Sequence, residues 1–143
     1  PSGTPSAPLN PLALAVALDA PFVAQAFSGE IEHTANLIAQ AIQHRGFALV
    51  NVLHPCPTWN RVQTFSWYEE RLVRLDESGH DPRERDLAFA VATQRGEEIP
   101  IGVLYMADRP TFADGDPVLS GEPLGLRPLP TPEKMRPVLA QFV

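Results

Sequence analysis

Phe22-Val-Ala-Gln-Ala-Phe27, a helix-patterned stretch after Ser28-Gly29, and Phe47-Ala-Leu-Val-Asn-Val-Leu53 are the segments that decide the fold. The first is a short apolar strand. In the second, Ile31, Ala35, Ile38 and Ile42 fall at i, i+4, i+7 and i+11, one apolar stripe of an amphipathic helix. Gly46 supplies the expected helix stop. The third is a near-continuous apolar strand, the pattern of a parallel sheet covered on both faces. Strand, helix and strand then form a right-handed βαβ crossover from Phe22 to Leu53. Just upstream, Asn10-Pro11 reads as a cap followed by proline at the first helical position. The helix Pro11–Leu18 is apolar all round, and such a helix is normally buried on every side. Residues 11–53 therefore read αβαβ.

The second half changes character. His54-Pro-Cys-Pro-Thr-Trp-Asn60 is a loop with a proline on each side of the cysteine. Ser66 and Glu69 have the spacing of a capping box for a helix over Trp67–Leu75, with Tyr68, Leu72 and Leu75 on its buried face. Asp81-Pro82-Arg83-Glu84 repeats that signal for a helix running to about Gln94, with Gly96 as its stop. Ile99–Tyr105 is a last apolar strand. From Arg109 onward 7 of the 16 prolines crowd into 35 residues. That tail is expected to run over a surface or a partner, with at most a short helix near Glu133–Phe142. Two or three strands and an all-apolar helix do not close a core, so a larger body is expected to bury Pro11–Leu18. The competing reading is a small, complete α/β domain with this helix at its centre.

The chain has 143 residues, one cysteine and a formal net charge of -6. A lone cysteine excludes a disulfide scaffold and any metal centre built from cysteines of this chain alone. All basic residues lie at or after Arg45, and no basic face suggests a nucleic-acid partner. The longest wholly apolar stretch, Leu12 to Leu18, is far short of the roughly 20 residues that span a bilayer. No basic segment precedes it in the manner of a signal peptide. These features point to a cytoplasmic protein with no membrane and no nucleic-acid partner. No glycine-rich phosphate loop occurs.

Cys56 is the residue with most chemistry. Its flanking prolines stiffen the backbone and set where the thiol points. The loop leaves the end of a strand, where α/β proteins tend to place functional groups. It reads as a buried structural cysteine, as a nucleophile near His54, or as one ligand of a cluster completed from outside the chain. His33, His44 and His80 read as exposed surface histidines near helix ends and turns. Trp59, Phe65, Trp67 and Tyr68 read as an aromatic core shielding the cysteine loop. Glu69 and Glu70 read as a solvated helix face.

The ordered set Asn10-Pro-Leu-Ala-Leu-Ala, Phe22-Val-Ala, Phe27-Ser-Gly29, His44-Arg-Gly-Phe-Ala-Leu-Val50 and Pro55-Cys-Pro-Thr-Trp-Asn60 resembles the C-terminal half of the beta subunit of 2-oxoacid:ferredoxin oxidoreductases. Trp67-Tyr68, His80-Asp81-Pro82, Ala88-Phe89, Ile99-Pro-Ile-Gly-Val-Leu-Tyr105 and Arg109-Pro-Thr extend the resemblance in order to about residue 112. It implies the C-terminal part of a thiamine-diphosphate-binding, parallel-sheet α/β fold, followed by a family-specific C-terminal extension. Its implied divisions are 1–53, the end of the thiamine-diphosphate domain; 54–112, a C-terminal domain with the cluster-ligand loop; and 113–143, the proline-rich tail. The implied activity is oxidative decarboxylation of 2-oxoglutarate, pyruvate or a related 2-oxoacid to acyl-coenzyme A, with electrons passed through a 4Fe–4S cluster to ferredoxin. Cys56 matches the family's fourth cluster cysteine. The other three, and the residues for thiamine diphosphate and Mg, lie upstream of anything in this chain, so no catalytic residue is assigned here. Trp59 stands where many relatives have Phe, and the same shielding is expected of it. Implied partners are the alpha subunit, ferredoxin, the 2-oxoacid and coenzyme A. The absent initiator Met reads as truncation. The alternative is a stand-alone, non-catalytic interaction or regulatory module.

Overall fold

The computed structural model describes residues 6–119 and 121–142. They divide into two compact units, with the boundary between Arg109 and Pro110.

The first unit is built on one four-stranded sheet. Its elements in chain order are α1 (Pro11–Ala17), β1 (Phe22–Phe27), α2 (Ile31–Gln43), β2 (Ala48–Leu53), α3 (Phe65–Glu69), β3 (Leu72–Arg74), α4 (Arg85–Thr93) and β4 (Ile99–Met106). The strand order is β2-β1-β4-β3. Strands β1 and β2 are parallel, from Phe22 opposite Ala48 to Phe27 opposite Leu53. Strands β3 and β4 are also parallel, and the two pairs meet through an antiparallel β1–β4 contact. The chain is thus mixed α/β with a parallel-dominated sheet, as the apolar runs predict. The antiparallel joint was not expected.

Every residue of β1 is buried. It is the centre of the sheet, and burying its two Phe and its Val from water contributes about 1.5–3 kcal/mol each. Gln25 is the polar exception. It donates to the Pro100 carbonyl (2.7 Å) and accepts from Asn51 (2.8 Å), so its amide is satisfied inside the sheet. The β1–β4 register slips between Val23 and Ala24, opposite Tyr105 and Val103 respectively, and leaves Leu104 as the extra residue of a bulge. The carbonyl of that residue bonds His80 Nε2 at 2.7 Å. His80 is therefore a half-buried structural partner of the bulge, not the surface histidine expected from its turn.

Several expectations are corrected. Helix α1 starts as read, with Asn10 Oδ1 accepting the Ala13 N–H at 3.0 Å. It buries Leu12, Ala13, Ala15 and Val16, yet Leu14 remains 47% exposed, so it is not covered on every side. Arg85 reaches back from α4 and donates to the Val16 and Ala17 carbonyls, satisfying the helix's C-terminal acceptors. The apolar stripe of α2 faces away from the described sheet. Ile31, Ile38 and Ile42 are exposed, and Leu37 is the residue buried against β1. The sheet accepts the flatter face carrying Leu37 and Ala41, leaving the bulkier stripe outward. Strand β2 is an edge strand with half-buried residues, not one covered on both faces.

The helix expected over Trp67–Leu75 ends at Glu69. Its cap is Thr64, whose Oγ1 accepts the Trp67 N–H, and not Ser66. Leu72-Val-Arg74 instead pairs with β4, where the β-branched Val73 fits a pleated ladder. Helix α4 begins at Arg85, later than its proline signal. The Pro82 carbonyl accepts the Met106 N–H (2.8 Å) and Asp81 Oδ1 the Arg83 N–H (2.9 Å), which pins that segment as a turn.

The second unit holds α5 (Pro132–Leu139) and short 3-10 turns, in line with one short helix near the C-terminus. Arg127 ties its turns together through the Glu122 and Val118 carbonyls.

Candidate functional site

The parallel pair β1 and β2 ends side by side, at Phe27 and Leu53. Past these ends the Ser28 N–H donates to the Leu53 carbonyl at 2.9 Å, and His54 Nδ1 lies 3.1 Å from Ser28 Oγ. The two exits are therefore tied together before the cysteine loop begins. Pro55 is buried, whereas Cys56, Pro57, Thr58 and Trp59 are exposed. The Cys56 carbonyl accepts the Trp59 N–H (3.2 Å) and the Asn60 N–H (2.9 Å), closing a turn under the thiol. Asn60 Oδ1 accepts the Val62 and Gln63 N–H groups (3.1 and 3.0 Å), and its Nδ2 donates to Gln63 Oε1 at 3.0 Å.

Aromatic side chains form the base of the loop. The Phe27 ring stacks on Tyr68 at 5.5 Å and meets Phe65 at 5.7 Å. Phe65 also faces His54 edge-on at 6.3 Å. Trp67 packs on Tyr68, and the Arg71 guanidinium lies 4.5 Å above its ring. Phe65, Trp67 and Tyr68 thus gather as expected. Trp59 does not, being 75% exposed, and it does not give the shielding expected of it. Gly29 makes the close packing possible, since a Cβ there would sit 2.3 Å from Phe27 Cε1.

Cys56 is a free, exposed thiol, which rules out the buried structural reading. Among the described residues, no group of three or more His, Cys, Asp or Glu side chains is arranged to hold a metal ion. Cys56 offers one soft thiolate donor of the kind iron–sulfur clusters take, and it is open to outside partners. The donor fits a cluster as one ligand of several. Glu69 and Glu70 are solvent-facing as expected, Glu70 pairing with Arg71 at 3.3 Å.

His33 and His44 are half-buried, not exposed. Burial, and then the Arg74 charge, lower the His33 pKa from 6.5, against the opposing pull of Glu30 and Asp76. The unfolded chain therefore takes up the proton first. Stability from this site is complete above about pH 6.5 and falls as the pH drops below it. Replacing His33 by Gln is expected to flatten that part of the pH–stability curve. Unchanged acid sensitivity in urea unfolding at pH 5 and pH 7.5 would refute the assignment.

The bonds of Ser28, His54 and Asn60 were not read from the sequence. Only Asn60 carried a local signal, since Asn commonly folds back on amides two residues ahead.

The fold and this loop define a class: an α/β sheet protein with an exposed thiol presented beyond the C-terminal ends of parallel strands. Residues 56–120 match the family that describes the C terminal of the pyruvate ferredoxin oxidoreductase beta subunit. The chain is 37% identical over 107 residues to the beta subunit of 2-oxoacid:ferredoxin oxidoreductase 2 from Aeropyrum pernix, covering 68% of this chain and 35% of that protein. It is 38% identical over 60 residues to 2-oxoglutarate oxidoreductase subunit KorB from Mycobacterium tuberculosis, covering 42% of this chain and 16% of that one. A solved 2-oxoglutarate:ferredoxin oxidoreductase from Magnetococcus marinus, with 2-oxoglutarate, coenzyme A and succinyl-coenzyme A bound, is similar over 99% of this chain and 47% of its own. Its TM-score is 0.74 and its identity 32%. The chain is thus a relative of the beta subunits of 2-oxoacid:ferredoxin oxidoreductases, and it spans about a third of the length of the curated relative from Aeropyrum. Among the described residues no helix is long and apolar enough to cross a membrane.

Proposed function

We propose that this chain is the C-terminal part of the beta subunit of a 2-oxoacid:ferredoxin oxidoreductase, with Cys56 as a cluster ligand. Residues 1–53 complete the thiamine-diphosphate domain, 54–112 carry the ligand loop, and 113–143 form the tail. The assembled enzyme oxidatively decarboxylates a 2-oxoacid to acyl-coenzyme A and passes the electrons to ferredoxin. The names of the Mycobacterium and Magnetococcus relatives support 2-oxoglutarate as that acid. The alpha subunit is the principal partner. The exposed stripe of α2 and the free edge of β2 support a larger assembly.

The observation that carries this reading is the place of Cys56. It is exposed on a braced turn beyond the end of a parallel strand, and it is the first residue of the family match. The cluster supplies one-electron transfer when bound. This chain contributes a thiolate, a turn that aims it, and an aromatic base that keeps the turn in place. Thiamine diphosphate, Mg and the remaining cluster ligands belong to other parts of the assembly.

Replacing Cys56 with Ala in the complete, assembled enzyme is expected to strip most of the cluster's iron and its visible thiolate-to-iron absorption. Ser, a poorer donor, is expected to retain part of both. Wild-type iron content in the Ala variant would overturn the ligand role.

A further inference from the structure

We infer that Asn60 is a positioning residue for the Cys56 thiolate, an inference that rests on the cluster-ligand reading above. The four exposed residues Cys56 to Trp59 have a turn for support, and Asn60 is where that turn is fastened. Its backbone N–H bonds backward to the Cys56 carbonyl at 2.9 Å. Its side chain bonds forward to two amides and to the Gln63 carboxamide. The forward segment is itself anchored, because Thr64 caps α3 and α3 plants Phe65 and Tyr68 on Phe27. A continuous path of bonds and ring contacts thus runs from the turn bearing the thiol into the fully buried central strand.

Asn60 suits this role better than its neighbours in chemical type. Its carbonyl oxygen takes two N–H donors while its amide nitrogen donates a third bond. Asp would keep the two accepted bonds, lose the donated one, and add a negative charge near an anionic centre. A ligand held in its binding geometry before the metal arrives loses less freedom on binding. Groups outside the ligand sphere that orient ligands are typically worth 10–100-fold in metal affinity.

The test uses the assembled holoenzyme and reads iron loss to a chelator and the electron paramagnetic resonance spectrum of the reduced cluster. Asn60→Ala is expected to release iron about 10-fold faster and to change the spectrum. Asn60→Asp is expected to hold iron almost as well as wild type. Thr93→Ala, which removes a side-chain bond within α4 and lies outside this path, is expected to leave both readouts unchanged. Asn60→Ser, whose hydroxyl makes a weaker form of the same turn, is expected to fall between. A wild-type release rate in Asn60→Ser overturns the inference even where Asn60→Ala fails to assemble. Wild-type behaviour in the Asn60 variants, with the cluster lost in Cys56→Ala, refutes the positioning role alone. Retention of the cluster in Cys56→Ala overturns the reading beneath it.

Discussion

Replacing Phe27 with Ala is expected to cost about 3–5 kcal/mol of stability, the range for emptying a buried Phe site. Phe27 is fully buried at the C-terminal end of the central strand. Its ring is the shared partner of Tyr68 and Phe65, so its loss leaves both without their stack and opens a void beneath Gly29. Its carbonyl, which accepts from Thr34 Oγ1 and the Glu30 N–H, is retained in the variant, so the turn into α2 survives. The effect should therefore appear as a lower urea midpoint with an unchanged slope. Phe47, 62% exposed, is the matched control, and its replacement by Ala should change little. A Phe27→Ala midpoint close to that of Phe47→Ala would show that the aromatic base is not the anchor described.

The second large effect is expected at Gly102. It lies buried in β4 at φ +126°, a conformation that side chains resist. A Cβ there would stand 3.2 Å from Leu75 Cβ and 3.6 Å from Leu75 N, whose N–H bonds the Ile101 carbonyl. Strain alone costs about 1–3 kcal/mol, and crowding against the buried Leu75 adds to it. Gly102→Ala is expected to be clearly destabilising, and Gly102→Val more so. Gly96→Ala, with nothing within 4 Å of the added Cβ, is expected to be neutral. Equal midpoints for Gly96→Ala and Gly102→Ala would refute the account.

What the sequence shows well is whatever rests on neighbours along the chain. The Asn10 cap, the two parallel strands of 22–53, the strand from Ile99 and the late helix all follow from local patterns, and all are present. The expected helix over Trp67–Leu75 fails for a tertiary reason. Leu72-Val-Arg74 has a partner in β4, 27 residues along the chain from Leu72 to Ile99, and the ladder outweighs a local helical preference. The stripe of α2 misleads because periodicity shows that a helix has two faces, not which face the described sheet takes.

The site divides in the same way. Two prolines around one cysteine, after an apolar run, are enough to single out Cys56 and the loop that carries it. Local sequence also determines the α/β class, since strand and helix periods depend on residues a few positions apart. That the thiol is exposed and that Phe27, not Trp59, organises the rings were decided only by the tertiary structure. Each depends on groups brought together by β1, β2 and α3, and a contact between elements leaves no periodic trace in the chain that forms it.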